Sequence, residues 1–95
     1  MEVGYLDKVL KVLSEQGSPV NQFRQIRQII ADSKVRTFDD LYRYLYDNIE
    51  EFAREGTQAA IILEIAKAMR EDINCVDKEI NVMTMIIEIL KIKQG

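Results

Sequence analysis

Apolar positions recur along this chain at steps of three and four residues. Val3, Leu6, Val9, Leu10 and Leu13 form the first series, with Asp7 and Lys11 one turn apart on its outer side. Gly17-Ser18-Pro19 ends it, because glycine suits a left-handed helix cap and proline cannot continue the hydrogen-bond ladder. Phe23, Ile26, Ile29 and Ile30 make a second stripe, with Arg24, Arg27 and Gln28 mainly on the other side. The polar run from Asp32 to Arg36 leads onward. Thr37 reads as the N-cap of a third helix, and Asp39 and Asp40 in its first turn suit the positive end of the helix dipole. Behind them Leu41, Leu45, Ile49 and Phe52 continue the stripe that Phe38 leads. Gly56 breaks the pattern, and Thr57 reads as the cap of the next helix.

The last two helices are more apolar than the first three. One runs from Ala59 to Ile73 and the other from Ile80 to Ile92. In the final helix Asp77, Asn81, Thr84, Glu88 and Lys91 form one narrow polar stripe, and the remaining surface is apolar nearly all round. Ile80, Met83, Ile87 and Leu90 make one apolar stripe; Val82, Met85, Ile86 and Ile89 make another. Such a helix either lies at the centre of a bundle or packs against another chain. A domain this small covers one stripe well, so Val82, Met85, Ile86 and Ile89 are the expected partner interface. Period-two alternation is never sustained. The pattern predicts an all-α fold, a compact bundle of about five helices forming a single domain over residues 1–95.

Composition narrows the function. The 95 residues are 47% hydrophobic and 31% charged, as in a globular domain. No apolar run reaches the roughly 20 residues that span a bilayer, and no basic-then-apolar leader opens the chain, so a soluble, cytoplasmic protein is expected. Histidine is absent and cysteine occurs once, at Cys75. That excludes an intrachain disulfide, a standard zinc site and every Ser-His or Cys-His pair. Cys75 reads as a small inert filler.

The net charge is −3, and it divides unevenly. Residues up to Arg36 carry six basic and four acidic side chains, and the remainder seven and twelve. Arg24, Arg27, Lys34 and Arg36, with Arg43 beyond, form at most a small basic edge for DNA or an acidic partner; the plainer reading is the solvated face of an amphipathic helix. The pairs Asp39-Asp40, Glu50-Glu51 and Glu71-Asp72 point about 100° apart on a helix, so they do not converge on one metal or proton and read as solvated faces. Tyr42, Tyr44 and Tyr46 share a helix but face different sides; at least one should be half-buried with its hydroxyl wet. The glycines are far apart, and no phosphate loop is present. No catalytic residue, metal ligand or cofactor-binding residue is expected.

Two segments carry a family resemblance. Thr57-Gln58-Ala59-Ala60-Ile61-Ile62-Leu63-Glu64-Ile65-Ala66, followed by Cys75-Val76-Asp77-Lys78-Glu79-Ile80-Asn81-Val82-Met83, resembles the C-terminal end of replication clamp-loader small subunits, the replication factor C group and especially its phage relatives. There, an Asp- or Asn-x-Glu stretch opens a long final helix after a shorter apolar one. Leu6-Asp7-Lys8-Val9-Leu10 is similar to the first helix of that domain, and Phe38 to Ile49 to its third. The resemblance implies a collar, the five-helix domain that assembles AAA+ subunits into a ring around primer-template DNA for sliding-clamp loading. It implies homo-oligomerisation or association with related subunits, contact with DNA only through the full complex, no small-molecule substrate, and host cytoplasm if the gene is phage-borne. The phosphate loop, acidic box and arginine finger of the motor module have no counterpart here, so the chain resembles a separately encoded or excised collar without chemistry of its own. The alternative is a free-standing helical adaptor or regulator that binds one partner through its C-terminal helix.

Overall fold

The computed structural model describes residues 4–94, and every regular element among them is helical. Val3, placed in the first apolar series, lies outside the described residues. The elements are α1 (Gly4–Ser14), α2 (Pro19–Ser33), α3 (Asp39–Asp47), the one-turn α4 (Ile49–Phe52), a 3-10 turn (Glu55–Thr57), α5 (Gln58–Asp72) and α6 (Lys78–Gln94). None of these helices is long and apolar enough to cross a membrane.

Helix ends follow local chemistry, with three departures from the expected caps. Ser18 does cap α2, its hydroxyl accepting from the Asn21 N–H at 3.5 Å ahead of Pro19 in the first turn. Gly17, after α1, is extended at φ 158° rather than left-handed; the left-handed cap stands at Lys34, φ 59°, where α2 stops. Thr37 does not cap α3: Phe38 occupies that position, drawn into the core at 1% exposure, and the helix starts at Asp39. Thr57 does not cap α5 through its side chain either, because its hydroxyl donates back to the Arg54 carbonyl within the 3-10 turn. Asp77 caps α6, one carboxylate oxygen accepting from the N–H groups of Glu79 and Ile80 at 3.1 and 3.2 Å.

The stripe from Leu41 to Phe52 is not one helix. It breaks at Asn48, whose backbone N–H and side-chain amide both bond the Tyr44 carbonyl. The break turns Ile49–Phe52 into a separate turn that packs beside α1 and buries Phe52. The core draws on every helix, with Val9, Leu13, Ile26, Ile30, Leu41, Leu45 and Ile61 essentially sealed from solvent. Two side chains, Gln22 and Lys93, tie the end of α1 to it. Gln22, itself buried, donates to the carbonyls of Val12 and Glu15 at 2.9 and 2.8 Å, covering the end of α1. Lys93 near the end of α6 donates to the Leu13 carbonyl, and burial lowers its pKa.

Candidate protein-binding surface

Helix α6 packs against α5 and α2 together, so it buries far more than one stripe. Val82, Met85, Ile86 and Ile89, the expected partner interface, are 0–2% exposed and lie inside the domain's own core. Asn81, Met83 and Leu90 are buried with them, which covers roughly 200° of the helix circumference at 3.6 residues per turn. The interface assignment is therefore corrected. A central helix in a small bundle takes its most apolar side inward, and the residual apolar surface appears at the margin of the other stripe. That margin is Ile80 and Ile87, at 63% and 41% exposure.

The open apolar side chains cluster along the chain. Of the eight large ones exposed among the described residues, Leu63, Met69, Ile73, Val76, Ile80 and Ile87 all belong to α5, α6 or their connection. Three of them border two shallow grooves, Ile80 and Ile87 one and Met69 the other. One, of about 320 Å³, runs between α2 and α6, where Phe23, Ile80, Met83 and Ile87 form the floor and Arg27, Asp77 and Glu79 the rim. The other, of about 220 Å³, runs between α3 and α5 past Tyr42, Tyr46, Ile62 and Met69. Arg43 borders it, its guanidinium 5.3 Å from the centre of the Tyr46 ring and 3.1 Å from the Asp47 carboxylate.

Arg24 and Arg27 project from α2, and Lys34 and Arg36 follow its end, all exposed. Arg27 faces Asp77 and Glu79 across the α2–α6 groove, and Arg36 stands in the connection leading into the Asp39-Asp40 turn. Asp77 and Glu79 opposite Arg27 offset the positive field that a phosphate backbone requires. Among the described residues no group of three His, Cys, Asp or Glu side chains could hold a metal ion.

One polar cluster was not expected from the sequence. Tyr42 is fully buried, and its hydroxyl donates to Asp72 at 3.0 Å while accepting from the Asn81 amide at 3.3 Å. Asn81 also donates to the Ala68 carbonyl at 2.9 Å, and Lys78 donates to the other Asp72 oxygen at 3.1 Å and to its backbone carbonyl at 2.6 Å. The cluster joins α3, α5 and α6 at the base of the apolar turn. Burial, reinforced by the bond to Asp72, pushes the Tyr42 pKa well above that of free tyrosine. A sealed, neutral hydroxyl with both partners in place orients helices rather than exchanging protons. Asp72 and Asn81 thus leave the solvated pair and the polar stripe to which periodicity assigns them. The other tyrosines divide as their spacing predicts: Tyr44 is half-buried with its hydroxyl on Asp7, which raises its pKa, and Tyr46 is exposed. Cys75 is only partly covered, its thiol bonded to the Asp77 carbonyl.

Comparison with known protein families, curated proteins and solved structures returned no match to this chain.

Proposed function

We propose that this chain is a non-catalytic association domain that works through the apolar surface of α5, α6 and their connection. The observation that carries the reading is the concentration of exposed Leu63, Met69, Ile73, Val76, Ile80 and Ile87 on one third of the chain. Completing the burial of Ile80 and Ile87 alone contributes about 2–3 kcal/mol per copy, scaling the transfer energy by their exposure. That is small against the roughly 4–15 kcal/mol lost in rigid-body freedom on association, so contacts through α6 alone are weak and reversible.

The specific form we favour is a clamp-loader collar, acting in the cytoplasm and holding AAA+ subunits in a ring. Its support is the resemblance over Thr57–Ala66 and Cys75–Met83, together with a helical bundle in which Asp77-Lys78-Glu79 opens the final long helix. The second reading is a free-standing adaptor or regulator that binds one partner through its C-terminal helix, which the apolar groove beside Ile80 and Ile87 favours. Both act without catalysis. Mixing the chain with clamp-loader motor modules that lack their own C-terminal helices separates the two. Ring assembly seen by mass photometry supports the collar; motor modules that stay monomeric remove it and leave the adaptor.

A further inference from the structure

The exposed face of α6 reads Asp77, Ile80, Thr84, Ile87 and Lys91, at successive steps of three, four, three and four residues. These positions form one straight seam along the helix, the spacing by which two helices interlock. The seam is nearly symmetric about its centre. Thr84 stands in the middle, an isoleucine lies about one turn to either side, and opposite charges stand seven residues away at each end.

We propose that this seam pairs with the same seam of a second copy, antiparallel and centred on Thr84. Reversing one helix about Thr84 sets Ile80 against Ile87 of the second copy to within one residue's rise, about 1.5 Å. It also sets Asp77 against Lys91, and Lys91 against Asp77. The parallel arrangement would instead oppose like charges at both ends and align the two helix dipoles unfavourably. Both charged groups have capacity for the contact. Asp77 uses only one carboxylate oxygen as the α6 cap, and Lys91 is 69% exposed beside a long 3.6 Å pair with Glu88. Thr84 donates its hydroxyl to the Ile80 carbonyl at 2.9 Å, so its polar group is satisfied within its own helix and a second helix can approach it closely. Closure by a twofold axis limits the association through this seam to two copies.

This inference deepens the association reading by naming the partner as a second copy and the α6 seam as its contact. Ring assembly would then use a different face, such as the α3–α5 groove. The test is sedimentation equilibrium of the whole chain from about 10 to about 500 µM, the range in which an interface this small dissociates. A monomer–dimer equilibrium is expected. The exposed-site variant Ile80→Asp/Ile87→Asp should keep its helical circular dichroism and weaken dimerisation by about 100-fold or more. Met69→Asp, on the other groove, should leave it within about twofold. In a Cys75→Ser background, Thr84→Cys should form a disulfide-linked dimer on mild oxidation, because in the antiparallel pair only the central residue meets its own copy, whereas Ile80→Cys should not, being about 12 Å along the helix from its own copy; cross-linking of both would show a parallel pair and overturn the antiparallel register. Association that survives Ile80→Asp/Ile87→Asp but is lost in Met69→Asp overturns the seam and leaves the association reading standing. A monomer at every concentration overturns self-association altogether. Dissociation by the isoleucine changes without Thr84→Cys cross-linking overturns the antiparallel register.

Discussion

Replacing Tyr42 with phenylalanine isolates the buried polar cluster from the packing around it. The ring keeps its place among the core side chains, and only the hydroxyl is removed. Two bonds disappear with it: the donation to Asp72 at 3.0 Å and the acceptance from Asn81 at 3.3 Å. Asn81 retains the Ala68 carbonyl, so its loss is partial. Asp72 retains Lys78 on its other oxygen but loses the donor on the buried one. A hydrogen bond to a charged group is worth roughly 1.5–3 kcal/mol, so Tyr42→Phe should destabilise the fold by about 2 kcal/mol. For a domain of this size that corresponds to a fall in Tm of roughly 10 °C. Urea unfolding followed by circular dichroism measures it, and combination with Asp72→Ala in a double-mutant cycle should show coupling of about 1 kcal/mol or more. The same hydroxyl gives a pH signature. Its pKa is raised in the fold, so the stability it confers is complete below about pH 10, the unfolded value, and is lost as pH climbs toward the folded value. Above about pH 10 the parent should therefore lose stability more steeply than Tyr42→Phe, by up to about 1.4 kcal/mol per pH unit. A cost below about 0.5 kcal/mol, or parallel pH profiles for the two proteins, would show that the cluster is not coupled as drawn.

Ile86→Lys/Ile89→Lys should abolish helical circular dichroism, because two buried ammonium groups in place of fully covered isoleucines cost more than the roughly 5–14 kcal/mol that stabilises a domain of this length; a folded double variant would return the two positions to the surface. Tyr5→Phe should be neutral or stabilising by up to about 1 kcal/mol in urea unfolding, since the Tyr5 hydroxyl is buried without a hydrogen-bond partner; a clear loss of stability would reveal a partner. Fluorescence anisotropy with primer-template DNA at moderate salt should show no sub-micromolar affinity, given the net charge of −3 and the carboxylates opposite Arg27; tight, salt-sensitive binding would show that Arg24, Arg27, Lys34 and Arg36 act as one surface.

The fold class was legible because helical period survives in every segment, and Leu6, Val9, Leu10, Leu13, Ile26 and Ile30 follow from it as core, whereas Tyr5, Val12 and Gln22 are buried beyond the stripes. Caps were harder to read. Thr37 and Thr57 have the right chemistry, but burial of Phe38 and the 3-10 turn after Arg54 decided where those helices begin. Asn48 interrupts a stripe whose spacing is unbroken, so periodicity alone could not locate the bend. The side of α6 that meets solvent was misjudged for a related reason. With apolar residues almost all round, the pattern carries no direction, and the choice is made by α2 and α5 closing over Val82, Ile86 and Ile89. The Tyr42 cluster was invisible because its members lie on three helices. One faint signal existed: Asn81 sits between Ile80 and Val82 near the start of an apolar helix, where an amide is most at home when buried against a partner.

The bond from Lys93 to the Leu13 carbonyl joins positions eighty residues apart. It has a consequence for the order of folding. Helix α1 can pair early with α2 and α4, its neighbours in the chain, whereas this bond forms only after a loop of eighty residues has closed. A contact made that late acts on the lifetime of the folded state rather than on the speed of reaching it. Lys93→Met should therefore speed unfolding in stopped-flow urea jumps and leave the refolding rate within about twofold.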